Sequence, residues 1–417
     1  MRPKEPDNRQ SELFEKRLEG MLRDDHRLVK LSKEIDWKRF EEKFGASYCP
    51  DNGRPGVSTR LLVGLTYLKY LHDLSDREVL QAWVENPYWQ YFCGEEYFQH
   101  ELPCHPSNLS RWRKRIGEEG GELLLQESLA VARQAGLLKL SELEELYADT
   151  TVQEKNITYP SEAKLLFRAR KRLVALAKKH AVPLRQSYTR IAKRHLVMAH
   201  RYAAAQQYNR ARREVRRLRT LLGRVMRDID RHASAGKAPY FLEQMQQSQQ
   251  LLAMPFGGKK LYSLHEPHTE AIAKGKMHKR FEYGVKVSVV RTRRSGFVLG
   301  CKAMHGNPYD GHTLSEALRD AQKRLGKPLA AKVGVDLGYR GHGIKEQHAI
   351  MHPRLKRLSR KNRLFVRARS AIEATISLMK RCYRLGRNYL KGVLGDQLNA
   401  LCAAAAHNLA ILLRATG

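Results

Sequence analysis

Arg369, Glu373 and Lys380 stand in an R-x3-E-x6-K arrangement inside a stretch dense in cations. Between Glu346 and Asp396, Glu373 is the sole carboxylate against thirteen lysines and arginines. At helical periodicity the three side chains share a face, so one acid is flanked by two groups able to hold phosphate. Such a set suits metal-assisted chemistry on a phosphodiester: carboxylates hold hard cations, while guanidinium and ammonium groups hold neighbouring phosphates. The pair Arg369 and Glu373, taken alone, also reads as an ordinary helical ion pair.

Two further acids occupy positions that call for a reason. Asp149 interrupts Leu146–Gln153, which otherwise reads as a buried strand, and strands disfavour Asp. Asp336 follows Ala330–Val335 at the C-terminal tip of another strand, the end at which α/β sheets build their sites. Tyr339 and Arg340, next along, either shape the Asp336 loop or touch phosphate. Asp310, in Pro308–Gly311, reads as a turn residue bonded to its own backbone. Glu266 and Glu270 read as loop partners of nearby lysines. His305, His312 and His342 lack metal-ligand spacing, and Cys93, His100, Cys104 and His105 fit no zinc pattern.

The elements that must carry these side chains follow from periodicity. To about residue 140 the chain reads as helical, with Leu61, Leu62, Leu65, Leu68 and Leu71 in a stripe and Ser75-x-x-Glu78 as a capping box. Ser107 is placed to cap a short helix bearing Arg111, Trp112, Arg113, Lys114 and Arg115. This is the pattern of a helix-turn-helix with a basic second helix, or of a plain bundle with a solvated basic face. After the Asp149 strand, 160–255 reads as a basic antiparallel helical insertion: an arm for pairing or for gripping DNA, or a solvated coiled coil. Tyr283–Val290 and Phe297–Ala303 then form a hairpin. A helix through Leu314 and Leu325, the Asp336 strand, the Glu373 helix and a last apolar helix over 394–413, with a structural His407, complete the order.

With the insertion set aside, the order of two acid-bearing strands and one late acid-bearing helix resembles the ribonuclease H-like fold, so an α/β protein with such a catalytic core is expected. The expected division is a helical N-terminal domain for DNA binding or dimerisation over 1–140, then a catalytic domain over 141–417 interrupted by 160–255. The 417 residues carry a formal charge of +34 and a pI near 10.1, a field that attracts polyanions. The cations are spread over many segments, which favours nucleic acid over a membrane surface. The first residues lack the apolar core of a leader, and no uncharged apolar run is long enough to span a bilayer, so the cytosol is expected. Six scattered cysteines are expected to be reduced and mostly buried.

In these residues the chain resembles the DDE transposases of bacterial insertion sequences, most of all the insertion-sequence-five group, over essentially its whole length. The resemblance is carried by Val57–Lys69, Leu264–Pro267, Lys274-Gly-Lys276, His278-Lys279, Tyr283–Lys286, His305–His312 and Asp336-x-Gly-Tyr-Arg-Gly341. The late signature Y-x2-R-x3-E-x6-K is matched at Arg369, Glu373 and Lys380, while its tyrosine position holds Val366. The resemblance implies a DNA transposase that binds the terminal inverted repeats of its element and carries out metal-dependent strand cleavage and strand transfer. It implies Asp149, Asp336 and Glu373 as catalytic and metal-holding residues around two Mg2+ ions, with Mn2+ as substitute. DNA is expected at Arg369, Lys380 and Arg340, and at Arg111, Arg113, Lys114 and Arg115. The implied partners are double-stranded DNA, as element ends and target, and a second copy of the chain, in a bacterial, nucleoid-associated setting without membrane. A ribonuclease H-like DNA nuclease without end specificity, or a non-catalytic DNA-binding descendant, are the alternatives.

Overall fold

The computed structural model describes residues 16–45, 56–234, 236–254, 260–273, 280–326, 329, 332–344, 349–353 and 358–415. The motif residues Lys274, Lys276, His278 and Lys279 lie outside them, as do Cys49 and the first fifteen residues. Two compact units divide the chain, one made of 1–154 and 284–417, the other of 155–283.

The first unit begins with α1 (Leu18–Met21), α2 (Arg27–Glu34), α3 (Trp37–Gly45), α4 (Thr59–Leu71), α5 (Asp76–Glu85), α6 (Pro87–Phe92) and α7 (Pro106–Gln134). Leu61, Leu62, Leu65 and Leu68 of the α4 stripe are buried, with Leu71 partly so, and Val63, Tyr67 and Tyr70 are buried too, because neighbouring helices enclose α4 on more than one side. Helix α5 starts as its sequence predicts: Ser75 Oγ accepts from Glu78 N at 3.2 Å and Glu78 Oε2 accepts from Ser75 N at 2.7 Å. Helix α7 corrects the expectation of a short helix capped by Ser107. Its cap is His105, whose Nδ1 accepts from Ser107 N at 3.2 Å, with Pro106 at the first position. The basic segment is the opening of a 29-residue helix that breaks at Gly117, where φ 60° and ψ −156° are accessible to glycine alone at low cost.

A mixed sheet follows: β1 (Glu145–Lys155), β2 (Glu270–Ala273), β3 (Phe281–Thr292), β4 (Val298–Met304), β5 (Lys332–Gly334), β6 (Ala349–Met351) and β7 (Arg387–Asn388). Its order is β2-β3-β1-β5-β6, with β4 also pairing β3 and β7 pairing β1. Strand β1 runs antiparallel to β3, with Asp149 opposite Val289, and parallel to β5, with Tyr147 opposite Gly334. Carrying that parallel register two residues further sets Asp149 level with Asp336.

The second unit contains α8 (Glu162–Lys179), α9 (Thr189–Ala204), α10 (Tyr208–His232) and α11 (Leu242–Ala253) around its own core, in which Leu166, Leu173, Leu222, Val225 and Leu251 are fully buried. This unit is wider than the helical pattern over 160–255 suggests. Lys155 and Glu266 form a buried ion pair at 2.8 Å, Arg172 donates to the Leu264 carbonyl at 2.9 Å, and Leu261 and Leu264 join the helical core.

The first unit is completed by α12 (Asp310–Leu325), α13 (Arg360–Arg367), α14 (Ala371–Cys382) and α15 (Gly392–Ala415). Helix α15 packs against α4, α7 and β4, so the N-terminal helices and the sheet share one hydrophobic core. Leu398, Leu401, Leu409 and Leu412 are each at most 2% exposed, worth about 2 kcal/mol apiece on burial. By length and composition α15 is long and apolar enough to cross a bilayer, yet 72% of its apolar window is buried inside the protein, as in a core helix. The five described cysteines are unpaired, and Cys382 is exposed.

Candidate active site

Strand β1 and the start of α14 bring two of the three expected acids to one guanidinium. Arg369 donates from Nη1 to Asp149 Oδ2 at 3.3 Å and from Nη2 to Glu373 Oε1 at 3.0 Å. Arg369 lies in a single 3-10 turn, Ala368–Ser370, between α13 and α14, and the four-residue spacing still aligns it with Glu373. Tyr147, two residues before Asp149 and therefore on the same face of β1, seats this segment. Its ring lies 5.0 Å from that of Phe365, and its hydroxyl donates to the Phe365 carbonyl at 2.9 Å. The side chains of Arg369 and Asp149 are 17% and 16% exposed, whereas that of Glu373 is 61% exposed.

Asp336 caps the turn Leu337–Tyr339, its Oδ1 accepting from Gly338 N at 2.9 Å. A Cβ on Gly338 would stand 3.1 Å from Asp336 Oδ1 and 3.3 Å from Asp310 Oδ2, so two carboxylates converge on a residue with no side chain. Asp310 Oδ1 accepts from Lys286 Nζ at 2.8 Å and from Thr150 Oγ1 at 2.9 Å, and Thr150 N donates to Asp149 Oδ1 at 2.8 Å. Tyr339, 1% exposed, lies among these acids. Burial pushes its phenol well above the usual range, and the charges of Asp149, Asp310 and Asp336 push it further. Asp310, expected to serve its own turn, thus belongs to the acid cluster. The signal for it was Lys286, a lone cation within the strand-like run Tyr283–Val290, since a buried lysine needs an acid.

The donors here are carboxylate oxygens, the set preferred by a hard divalent cation. Among the described residues, no three Asp, Glu, His or Cys side chains come close enough together to hold one metal ion in this arrangement. The Arg369 guanidinium lies between Asp149 and Glu373 and offsets their charge. The donor chemistry therefore fits such a cation, and the guanidinium would have to move aside for Asp149 and Glu373 to share one.

Comparison with known proteins gives two family matches, "Transposase domain (DUF772)" over residues 16–115 and "Transposase DDE domain" over residues 259–409. The chain belongs to the DDE transposase family. The second match takes in Asp336, Arg369 and Glu373, while Asp149 precedes it. A relative from Rhizobium meliloti, "Uncharacterized protein ORF8 in nfe locus", is 51% identical over 208 residues, half of this chain and all of that protein. No solved structure matches.

In this DDE-family chain the remaining expected site residues lie apart from the acids or beside them. Lys380 is in the last turn of α14 and half-buried, and Arg340 is exposed directly after Tyr339. Val366, at the signature's tyrosine position, is buried on α13. On α7, Arg111, Lys114 and Arg115 are exposed. Arg113 turns inward instead, donating to both oxygens of Asp76 at 2.8 and 2.5 Å, with Lys69 on the same carboxylate at 2.6 Å. Burial opposes ionisation of Asp76, yet the Arg113 hydrogen bonds and the Lys69 charge hold its carboxyl at about 2. Arg113 is thus engaged inside the helical bundle, which is a correction to its expected place on a DNA-facing surface.

Proposed function

We propose that the chain is a DNA transposase of the insertion-sequence-five type, built on a ribonuclease H-like core, that binds its element's terminal inverted repeats and cleaves and transfers DNA strands. The observation that carries this reading is the meeting of Asp149 and Glu373 on Arg369, from segments 220 residues apart, in a chain of the DDE family. The pairing of Tyr147 with Gly334 on neighbouring parallel strands, each two residues before Asp149 and Asp336, supports the same site. Asp149, Asp336 and Glu373 are the residues that would hold two Mg2+ ions, or Mn2+ in their place. Such ions, when bound, lower the cost of negative charge on the attacking and leaving oxygens of a phosphodiester.

The chain's own part is positioning. Arg369, once released from the carboxylates, would take a phosphate beside them, and Lys380 and Arg340 would hold neighbouring phosphates. Gly338 and the turn it belongs to fix the Asp336 carboxylate, and the Lys286–Asp310–Thr150 network fixes the strand beside Asp149. Two element ends brought together call for a dimer. Glu373→Gln tests the reading: it should keep binding to end DNA and lose Mg2+-dependent nicking, and nicking at the wild-type rate would end the assignment. Equal cutting of DNA with and without the element's ends would favour the nuclease alternative.

A further inference from the structure

We propose that the second unit is a duplex-DNA-binding module whose contact face is the outer side of α9. From 155 to 283 the chain has 29 lysines and arginines against eight acids, so this unit holds +21 of the total +34. Its acids are largely spent internally: Glu162 on Arg219, Glu214 on His195 and Arg217, Asp228 on Arg231, and Glu266 on Lys155. Helix α9 has no acid at all. Ala192 and Ala199 face the unit's core, while Arg190, Lys193, Arg194, Val197, Met198 and Arg201 line one shallow depression of about 400 Å³ on the other side. Among the described residues none of these four cations makes a side-chain hydrogen bond or ion pair.

A stripe of unneutralised charge costs a folded unit self-repulsion unless a polyanion meets it. From Arg190 to Arg201 the stripe rises about 16 Å at 1.5 Å per residue, and one DNA strand presents a phosphate about every 3.4 Å of axis, so several phosphates lie within its span. A lipid surface is a poorer match, because the apolar side of α9 is already buried and only Ile191, Val197 and Met198 remain on the cationic side. The contacts are of the phosphate-positioning kind, with no means of reading bases. The choice of DNA over RNA rests on the transposase reading of the first unit.

The test is a salt titration of duplex binding, by fluorescence anisotropy on the full chain, using a duplex that lacks the element's ends. The variant Arg190→Gln/Lys193→Gln/Arg194→Gln/Arg201→Gln should lower the slope of log affinity against log salt by roughly 3 to 4, about 0.9 per lost phosphate contact, and weaken binding at low salt by at least tenfold. A second variant, Lys171→Gln/Lys178→Gln/Lys179→Gln/Lys237→Gln, removes the same charge elsewhere on the unit and should change the slope far less. An unchanged slope in the first variant, or an equal fall in the second, overturns the proposal. So does tighter α9-dependent binding of a single-stranded RNA of equal length, which would reassign the face. Unaltered melting of both variants shows that folding is intact, and Mg2+-dependent nicking of end DNA, measured separately with Glu373→Gln, distinguishes failure here from failure of the catalytic reading.

Discussion

Removing the Arg369 guanidinium exposes what it does for the acids. Its bond to Asp149, between side chains 17% and 16% exposed, is worth about 1 kcal/mol, and its bond to the largely exposed Glu373 about 0.4 kcal/mol. A divalent cation shared by these carboxylates must displace both bonds, so Arg369→Met should bind Mn2+ about 1.4 kcal/mol more tightly, a factor of ten. Titration of DNA-free protein with Mn2+, followed by the paramagnetic signal of free ion, reads this directly. Arg369→Lys, which keeps a charge but not the fork, should fall between the two. Nicking should drop in Arg369→Met despite the tighter ion, because a phosphate contact is lost. Weaker or unchanged Mn2+ binding in a folded Arg369→Met protein would refute the argument that the guanidinium competes for the acids.

Asp310→Asn should cost about 2 kcal/mol in urea unfolding, because Lys286 loses its acid in a site where it is only 9% exposed; a variant as stable as wild type would remove Asp310 from the network. Asp76→Asn strips the counter-charge from Lys69 and Arg113 and should cost about 3 to 5 kcal/mol, and a loss under 1 kcal/mol would show that water already screens them. The pH-dependent part is smaller, about 2 kcal/mol: with the Asp76 carboxyl held at about 2, below its usual 3.8, it is complete above about pH 3.8 and is lost as pH falls through about 2. His407, fully buried, is held down to about 4 chiefly by burial, so the stability of its neutral form is complete above about 6.5 and is lost as pH falls through about 4. His407→Gln should therefore flatten the unfolding free energy between pH 6.5 and 4 by roughly 3 kcal/mol, and an unchanged slope there would dismiss the histidine as its source.

Much of the frame was legible because its periodicities are local. The Asp149 strand, the hairpin of β3 and β4, and helices α12, α14 and α15 each carry their own pattern, and Ser75 with Glu78 marks one helix start within four residues. What escaped depended on partners distant in the chain. Arg113 is spaced like its exposed neighbours, and only Asp76, from a different helix, turns it inward. Asp310 sits in a turn-like sequence, and its membership of the acid cluster arises from Lys286 and Gly338 arriving beside it. The second unit outran its helical pattern because Leu261, Leu264 and Glu266 lack any period and are fixed by distant partners, Leu264 by Arg172 of α8 and Glu266 by Lys155 at the end of β1. Strands β6 and β7, three residues or fewer each, are too short to announce themselves, whereas β5 lies within the strand read over Ala330–Val335.

Because α15 closes both the helical layer and the strand layer of the first unit, neither layer is complete until this late segment has been synthesised. Strands β1 and β3 and helix α4, all made earlier, must wait with their apolar faces uncovered, the exposure that long-range contacts impose on a folding chain. Timing then governs the site as well, since Asp149 and Glu373 can meet on Arg369 only after both distant segments have been made and seated.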